Sequence, residues 1–239
     1  VTYEDVAKMI DHSLLSPALT AAELEAGTNL ARTYGVASVC IVACHVRRAT
    51  ELLAGSGVKP STTVGFPHGS PSTATKVFEA RHAIEDGGEE LDMVINIGRA
   101  LSGDWEYVRS DIAAVCEVTH AHGQKLKVIF ENGYLTDAHK QRLCAMCSEI
   151  GVDWVKTSTG YGPGGATDDD LRLMRAHSSA KVQVKAAGGV RSLDRLLEVR
   201  ALGVTRAGAT KTAEILDECR RRLDLPPLSV APISMALGL

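Results

Sequence analysis

Trp154-Val-Lys-Thr-Ser158 and Gln183-Val-Lys-Ala-Ala187 are two short, mostly apolar strings, and between them Asp168–His177 has helical patterning. Strand, helix and strand in that order predict a βαβ unit, because parallel neighbours can be joined only through a crossover. The same alternation continues in both directions along the chain. Candidate strands are Met9–Asp11, Ser38–Val42, Ser61–Phe66, Leu91–Asn96, Lys127–Glu131, Trp154–Ser158, Gln183–Ala187 and Thr205–Ala209. These runs read as apolar throughout, the pattern of parallel strands covered on both faces. Helical stretches at Ala21–Tyr34, Ser72–Asp86, Asp104–Ala121, Asp137–Ile150, Asp168–His177 and Ser192–Leu202 fall between them. They start near Ser, Thr or Asp caps, with a capping box at Thr20 and Glu23, and several stop at glycine (Gly35, Gly87-Gly88, Gly123, Gly151, Gly203). Eight such repeats predict an α/β fold closed as a single (β/α)8 TIM barrel, one domain over residues 1–239. The rival, an open doubly wound sheet, lacks a G-x-G-x-x-G after an early strand.

Composition narrows the function classes. Of 239 residues, 45% are hydrophobic and 23% charged, and the net charge is −3, so nothing points to a nucleic-acid partner or a membrane surface. No apolar run is long enough for a membrane helix, and Val1-Thr-Tyr-Glu-Asp5 lacks the pattern of a signal peptide. Six irregularly spaced cysteines suit reduced thiols, and a cytoplasmic setting is expected. Cys144-Ala-Met-Cys147 falls inside a helical stretch and Cys44-His45 are adjacent, so no metal site is expected.

In a barrel of this kind the active site lies at the carboxyl ends of the strands. There the chain carries Asp11-His12, Phe66–Gly69, Asp92, Asn96, Glu131, Lys156–Gly160, Lys185 and the Gly188 and Gly208 turns. Lys156 and Lys185 are charges inside apolar strings. Burial beside a second cation lowers an amine's pKa and prepares it as a nucleophile for a carbonyl carbon. Asp92 could then move protons. A buried salt bridge is the competing reading for either lysine alone. Gly188-Gly189-Val190 follows strand seven and Gly208-Ala209-Thr210 follows strand eight, where backbone N–H groups and the Thr210 hydroxyl can hold a phosphate. The glycine-rich Tyr161–Thr167 loop after strand six adds to that cradle.

Val155-Lys-Thr-Ser-Thr-Gly160, followed by Gly164-Gly-Ala-Thr167, resembles the Schiff-base strand of the deoxyribose-phosphate aldolases. Ile10–Leu15, Thr63–Gly69, Glu90–Gly98, Lys127–Glu131 and Val184–Arg191 extend the resemblance over nearly the full chain. It implies a TIM barrel with no metal and no organic cofactor, and the family suggests a homodimer. Carried over, Lys156 is the Schiff-base lysine, Lys185 the lysine that tunes it and Asp92 the acid/base carboxylate. Gly160, Gly188, Gly189, Val190 and Gly208 would contact the phosphate through their backbone. The implied reaction is reversible, 2-deoxy-D-ribose 5-phosphate giving D-glyceraldehyde 3-phosphate and acetaldehyde. Four segments depart from the family pattern: Ser13 in place of Thr, Val42-Ala43 in place of Asn-Pro or Tyr-Pro after Cys40, Asn132-Gly133, and Arg206-Ala-Gly-Ala-Thr-Lys211 in place of a usual Gly-x-Ser. A different Schiff-base barrel enzyme and a non-catalytic phosphate-binding barrel are the alternatives.

Overall fold

The computed structural model describes residues 1–229, so most of the segment after Pro226-Pro227, expected to pack loosely or on a second subunit, lies outside the described residues. Its strands are β1 (Ile10–Leu14), β2 (Ser38–Ile41), β3 (Lys59–Val64), β4 (Glu90–Val94), β5 (Lys125–Ile129), β6 (Trp154–Lys156), β7 (Gln183–Ala187) and β8 (Arg206–Ala209). They pair in parallel and in chain order, and β8 returns to β1 to close the barrel. All eight strands read from the sequence are present, with ends displaced by a few residues.

Ten helices follow among the described residues: α1 (Tyr3–Ala7), α2 (Ala21–Tyr34), α3 (Val46–Leu53), α4 (Thr73–Glu85), α5 (Ile97–Leu101), α6 (Trp105–Ala121), α7 (Asp137–Ile150), α8 (Asp168–His177), α9 (Leu193–Ala201) and α10 (Thr212–Arg222). The six expected from the sequence all begin at a side-chain cap: Thr20, Ser72, Asp104, Thr136, Thr167 and Ser192. Four helices were not anticipated. Neither α3 nor α10 has a side-chain cap bond, and α1 and α5 are five residues each, too short to show a period.

The strands also differ from the expectation of uniformly apolar runs. On β4 to β8, Leu91, Met93, Leu126, Val128, Val155, Val184, Ala186, Ala207 and Ala209 belong to the apolar core shared with the helices. Their alternates, Glu90, Asp92, Lys127, Lys156, Lys185 and Arg206, bond to one another inside the barrel. Period two thus sorts apolar residues outward and charges inward.

Candidate active site

The parallel register sets the site. Asp92 of β4 is level with Lys127 of β5, and Lys156 of β6 is level with Lys185 of β7. Lys156 Nζ and Lys185 Nζ both donate to Asp92 Oδ2, at 2.7 and 2.8 Å, while Lys127 Nζ donates to Oδ1 at 2.8 Å. Lys185 also lies 2.5 Å from Asp11 Oδ2. Asp11 Oδ1 accepts from Arg206 Nη1 at 2.5 Å, and Glu90 accepts from Arg206 and lies 2.6 Å from Lys127 Nζ. Every one of these residues is buried or nearly so.

Burial and charge act differently on each group. For Lys156, burial lowers the pKa most; Asp92 opposes this, Lys185 adds to it, and the amine ends below the ordinary lysine value. Burial also disfavours charged Lys185, but Asp11 and Asp92 outweigh it and raise that amine. Lys127 goes up for the same reason, against Asp92, Glu90 and Asp11. The Asp92 carboxyl, despite burial, is held well below the usual range by Lys127, Lys156 and Lys185. Burial is likewise overridden at Asp11, which Lys185, Lys127 and Arg206 keep ionised. One amine therefore loses its proton most easily, among neighbours that keep theirs.

Above this layer a cavity of about 200 Å³ opens at the carboxyl end of the barrel. Lys156, Lys185, Gly160, Gly188, Gly189, Val190, Gly208 and Thr210 all line it. Asp92, the remaining residue singled out from the sequence, is fully buried against the two amines. Gly188 and Gly189 adopt φ of 87° and 94°, which glycine reaches without strain. Among the described residues, the N–H groups of Gly189, Val190 and Arg191 donate to no backbone carbonyl. They precede α9, whose N-terminus adds a positive dipole end. A larger groove of about 500 Å³ beside Trp105 and Arg142, on α6 and α7, lies apart from the amine cluster.

Lys127, Glu90, Arg206 and Cys40 join the site beyond the residues that the sequence singles out, and Asp11 stands in the sequence only as a strand end. Cys40 lines the cavity, its thiol pushed up by burial and by Asp92. The signal was available in part: Glu90 lies two residues before Asp92, and so on the same face of its strand.

Fold and lysine–carboxylate cluster together define the class, a (β/α)8-barrel aldolase. Residues 5–212 match the DeoC/LacD family aldolase. The chain is 62% identical over 228 residues to a deoxyribose-phosphate aldolase of Rhodopirellula baltica, covering 95% of each. It is 44% identical over 218 residues to one from Thermococcus gammatolerans, covering 90% of this chain and 97% of that protein. The tetrameric deoxyribose phosphate aldolase structure from Aeropyrum pernix superposes with a TM-score of 0.85 at 27% identity, covering 92% of each chain. The chain belongs to the DeoC/LacD aldolase family. Among the described residues no helix is long and apolar enough to cross a membrane.

Proposed function

We propose that this barrel is a class I deoxyribose-phosphate aldolase that reversibly cleaves 2-deoxy-D-ribose 5-phosphate to D-glyceraldehyde 3-phosphate and acetaldehyde. The observation that carries the reading is the convergence of Lys156 and Lys185 on one Asp92 oxygen at the floor of a cavity walled by glycine turns. The Lys156 amine adds to the aldehyde carbon C1, and loss of water leaves a protonated imine that accepts electrons. Removal of the C3 hydroxyl proton breaks the C2–C3 bond, releases glyceraldehyde 3-phosphate and leaves an enamine on the lysine. Protonation at C2 and hydrolysis then release acetaldehyde and restore the amine. Lys185, kept protonated by Asp11 and Asp92, tunes Lys156 and, with Asp92, exchanges protons with the reacting atoms through water.

At the other end, the free N–H groups of Gly189 and Val190, with Gly160, Gly188, Gly208 and the Thr210 hydroxyl, hold the phosphate at the start of α9. Placing the phosphate there orients C1 toward Lys156. A cytoplasmic setting and a two-copy assembly belong to the same proposal, and light scattering of the purified protein tests the assembly.

Borohydride reduction in the presence of acetaldehyde tests the chemistry. An ethyl group mapped to Lys156 is expected, and Lys156→Ala should lose both the adduct and cleavage. Trapping by a ketone donor such as dihydroxyacetone phosphate, without trapping by acetaldehyde, would favour a different Schiff-base lyase.

A further inference from the structure

The buried charges form two tiers. The upper tier is Asp92 with Lys156 and Lys185. The lower tier is Glu90, which accepts from Arg206 Nη2 at 2.8 Å and Nη1 at 3.0 Å and lies 2.6 Å from Lys127 Nζ. Two residues span both tiers: Asp11 joins Arg206 to Lys185, and Lys127 joins Glu90 to Asp92. The Arg206 guanidinium also lies over the Trp154 ring, 5.1 Å from its centroid, at the start of β6. Neither Arg206 nor Glu90 lines the cavity, so neither is placed to touch substrate.

With every amine protonated and every carboxyl ionised, the cluster sets four cations (Lys127, Lys156, Lys185, Arg206) against three carboxylates (Asp11, Glu90, Asp92). An uncompensated charge in a buried layer is costly, and the inexpensive remedy is loss of one proton. The guanidinium cannot supply it. Lys127, Lys185 and Arg206 each meet at least two carboxylates, whereas Lys156 meets Asp92 alone. Geometry thus selects Lys156 as the amine that gives up the surplus proton.

We propose that Arg206 and Glu90 are a positioning pair beneath the site, whose opposed charges fix the proton count of the cluster and so the pH at which Lys156 becomes a free amine. The inference rests on the reading of Lys156 as the reacting amine. Among the other ionisable groups near the cluster, Arg191 lines the cavity above it and buried Glu131 is bonded to Thr159. Cys40 of β2 is a buried thiol, and β3 offers only Ser61 and Thr63 at the level of Glu90 and Asp92. Lys59 and Lys125, at the exposed starts of β3 and β5, are paired with Glu89 and Asp153.

The test is the pH dependence of kcat/KM for deoxyribose 5-phosphate cleavage in Arg206→Gln, Glu90→Gln, the double variant and Arg206→Lys. Acetaldehyde–borohydride mapping accompanies each protein. Arg206→Gln removes the surplus, so the acid limb should move up by roughly one pH unit, the size of one unit charge acting across a buried cluster. Glu90→Gln enlarges the surplus and should move the limb down. The double variant restores the count and should return close to the parent, as should Arg206→Lys. A purely structural role predicts no opposed shifts. If Arg206→Gln does not fold, the downward shift of Glu90→Gln and the unmoved limb of Arg206→Lys carry the test. With the adduct on Lys156 throughout, shifts of one sign, or none, overturn the positioning role alone. A parent adduct on another residue overturns the amine assignment, and the inference with it.

Discussion

Lys156 and Lys185 are register partners across β6 and β7, and their two amines share a single acceptor, Asp92 Oδ2. One carboxylate oxygen cannot fully compensate two ammonium groups. Lys185 has a second carboxylate, Asp11, 2.5 Å away, and Lys156 does not. That asymmetry separates two chemically identical side chains into one amine with a lowered pKa and one with a raised pKa.

Replacing Lys185 by Leu removes one of the two influences that lower Lys156 and leaves the larger, burial, in place. With its cationic neighbour gone, Lys156 holds its proton to higher pH, so the acid limb of kcat/KM should move up. Loss of the proton-exchanging group should also lower kcat by roughly 10²-fold or more at neutral pH. An unmoved or downward-shifted limb would show that a different group tunes the amine.

Gly189 tests the phosphate end. Its φ of 94° strains any L-residue, although a Cβ there would meet nothing within 4 Å. Gly189→Ala should therefore cost about 1–2 kcal/mol of stability through the backbone. It should also turn the N–H groups of the 188–191 turn away from the phosphate. Loss of one charge-assisted hydrogen bond, about 1.5–3 kcal/mol, raises KM for deoxyribose 5-phosphate roughly tenfold or more. Cleavage of unphosphorylated deoxyribose should change far less. Equal losses on both substrates would place the phosphate elsewhere.

These two ends of the site differed in how legible they were. Lys156, Lys185 and the Gly188-Gly189 turn stand out in a linear sequence because a charge or a glycine pair interrupts an apolar string. Lys127 and Arg206 fall at the start of their strings, where a polar residue is ordinary, and only the barrel's closure brings Arg206 of β8 to Asp11 of β1 and Glu90 of β4. The strands were legible through their apolar residues and the capped helices through Ser, Thr and Asp. By contrast, α10 is held at its start by a long-range contact, His12 Nδ1 to Thr212 Oγ1 at 2.8 Å, which no local pattern encodes.

Burying the His12 ring makes stability depend on pH. Burial lowers the His12 pKa from 6.5 to about 4. In the unfolded chain the ring takes up a proton near pH 6.5, and in the folded chain only near 4. Stability from this group is therefore complete above about pH 6.5 and is lost as pH falls towards 4, by up to about 3 kcal/mol. In His12→Asn, denaturant unfolding at pH 7 and pH 4.5 should show a smaller difference than in the parent. Buried carboxylates contribute to acid sensitivity in both proteins and cancel in the comparison. An identical pH slope in the two would mean that His12 is protonated in the fold.

Lys76 is a buried cation outside the site, and it offers the cleanest measure of what an ion pair contributes to this barrel. Its Nζ donates to Asp111 Oδ2 at 2.6 Å and to the Val94 carbonyl at 2.9 Å, tying α4 and α6 to the end of β4. Thr73 Oγ1 donates to the other Asp111 oxygen at 2.8 Å. Both charged side chains are almost wholly inaccessible. Lys76→Met leaves a buried carboxylate with Thr73 alone and should cost about 3–5 kcal/mol, read as a fall in the urea midpoint at constant m. Adding Asp111→Leu removes the stranded charge and should recover most of that loss, since a buried pair replaced by apolar groups is often neutral. A single-variant loss of only about 0–1 kcal/mol, the range of an exposed pair, would show that water reaches Asp111 once the lysine is gone.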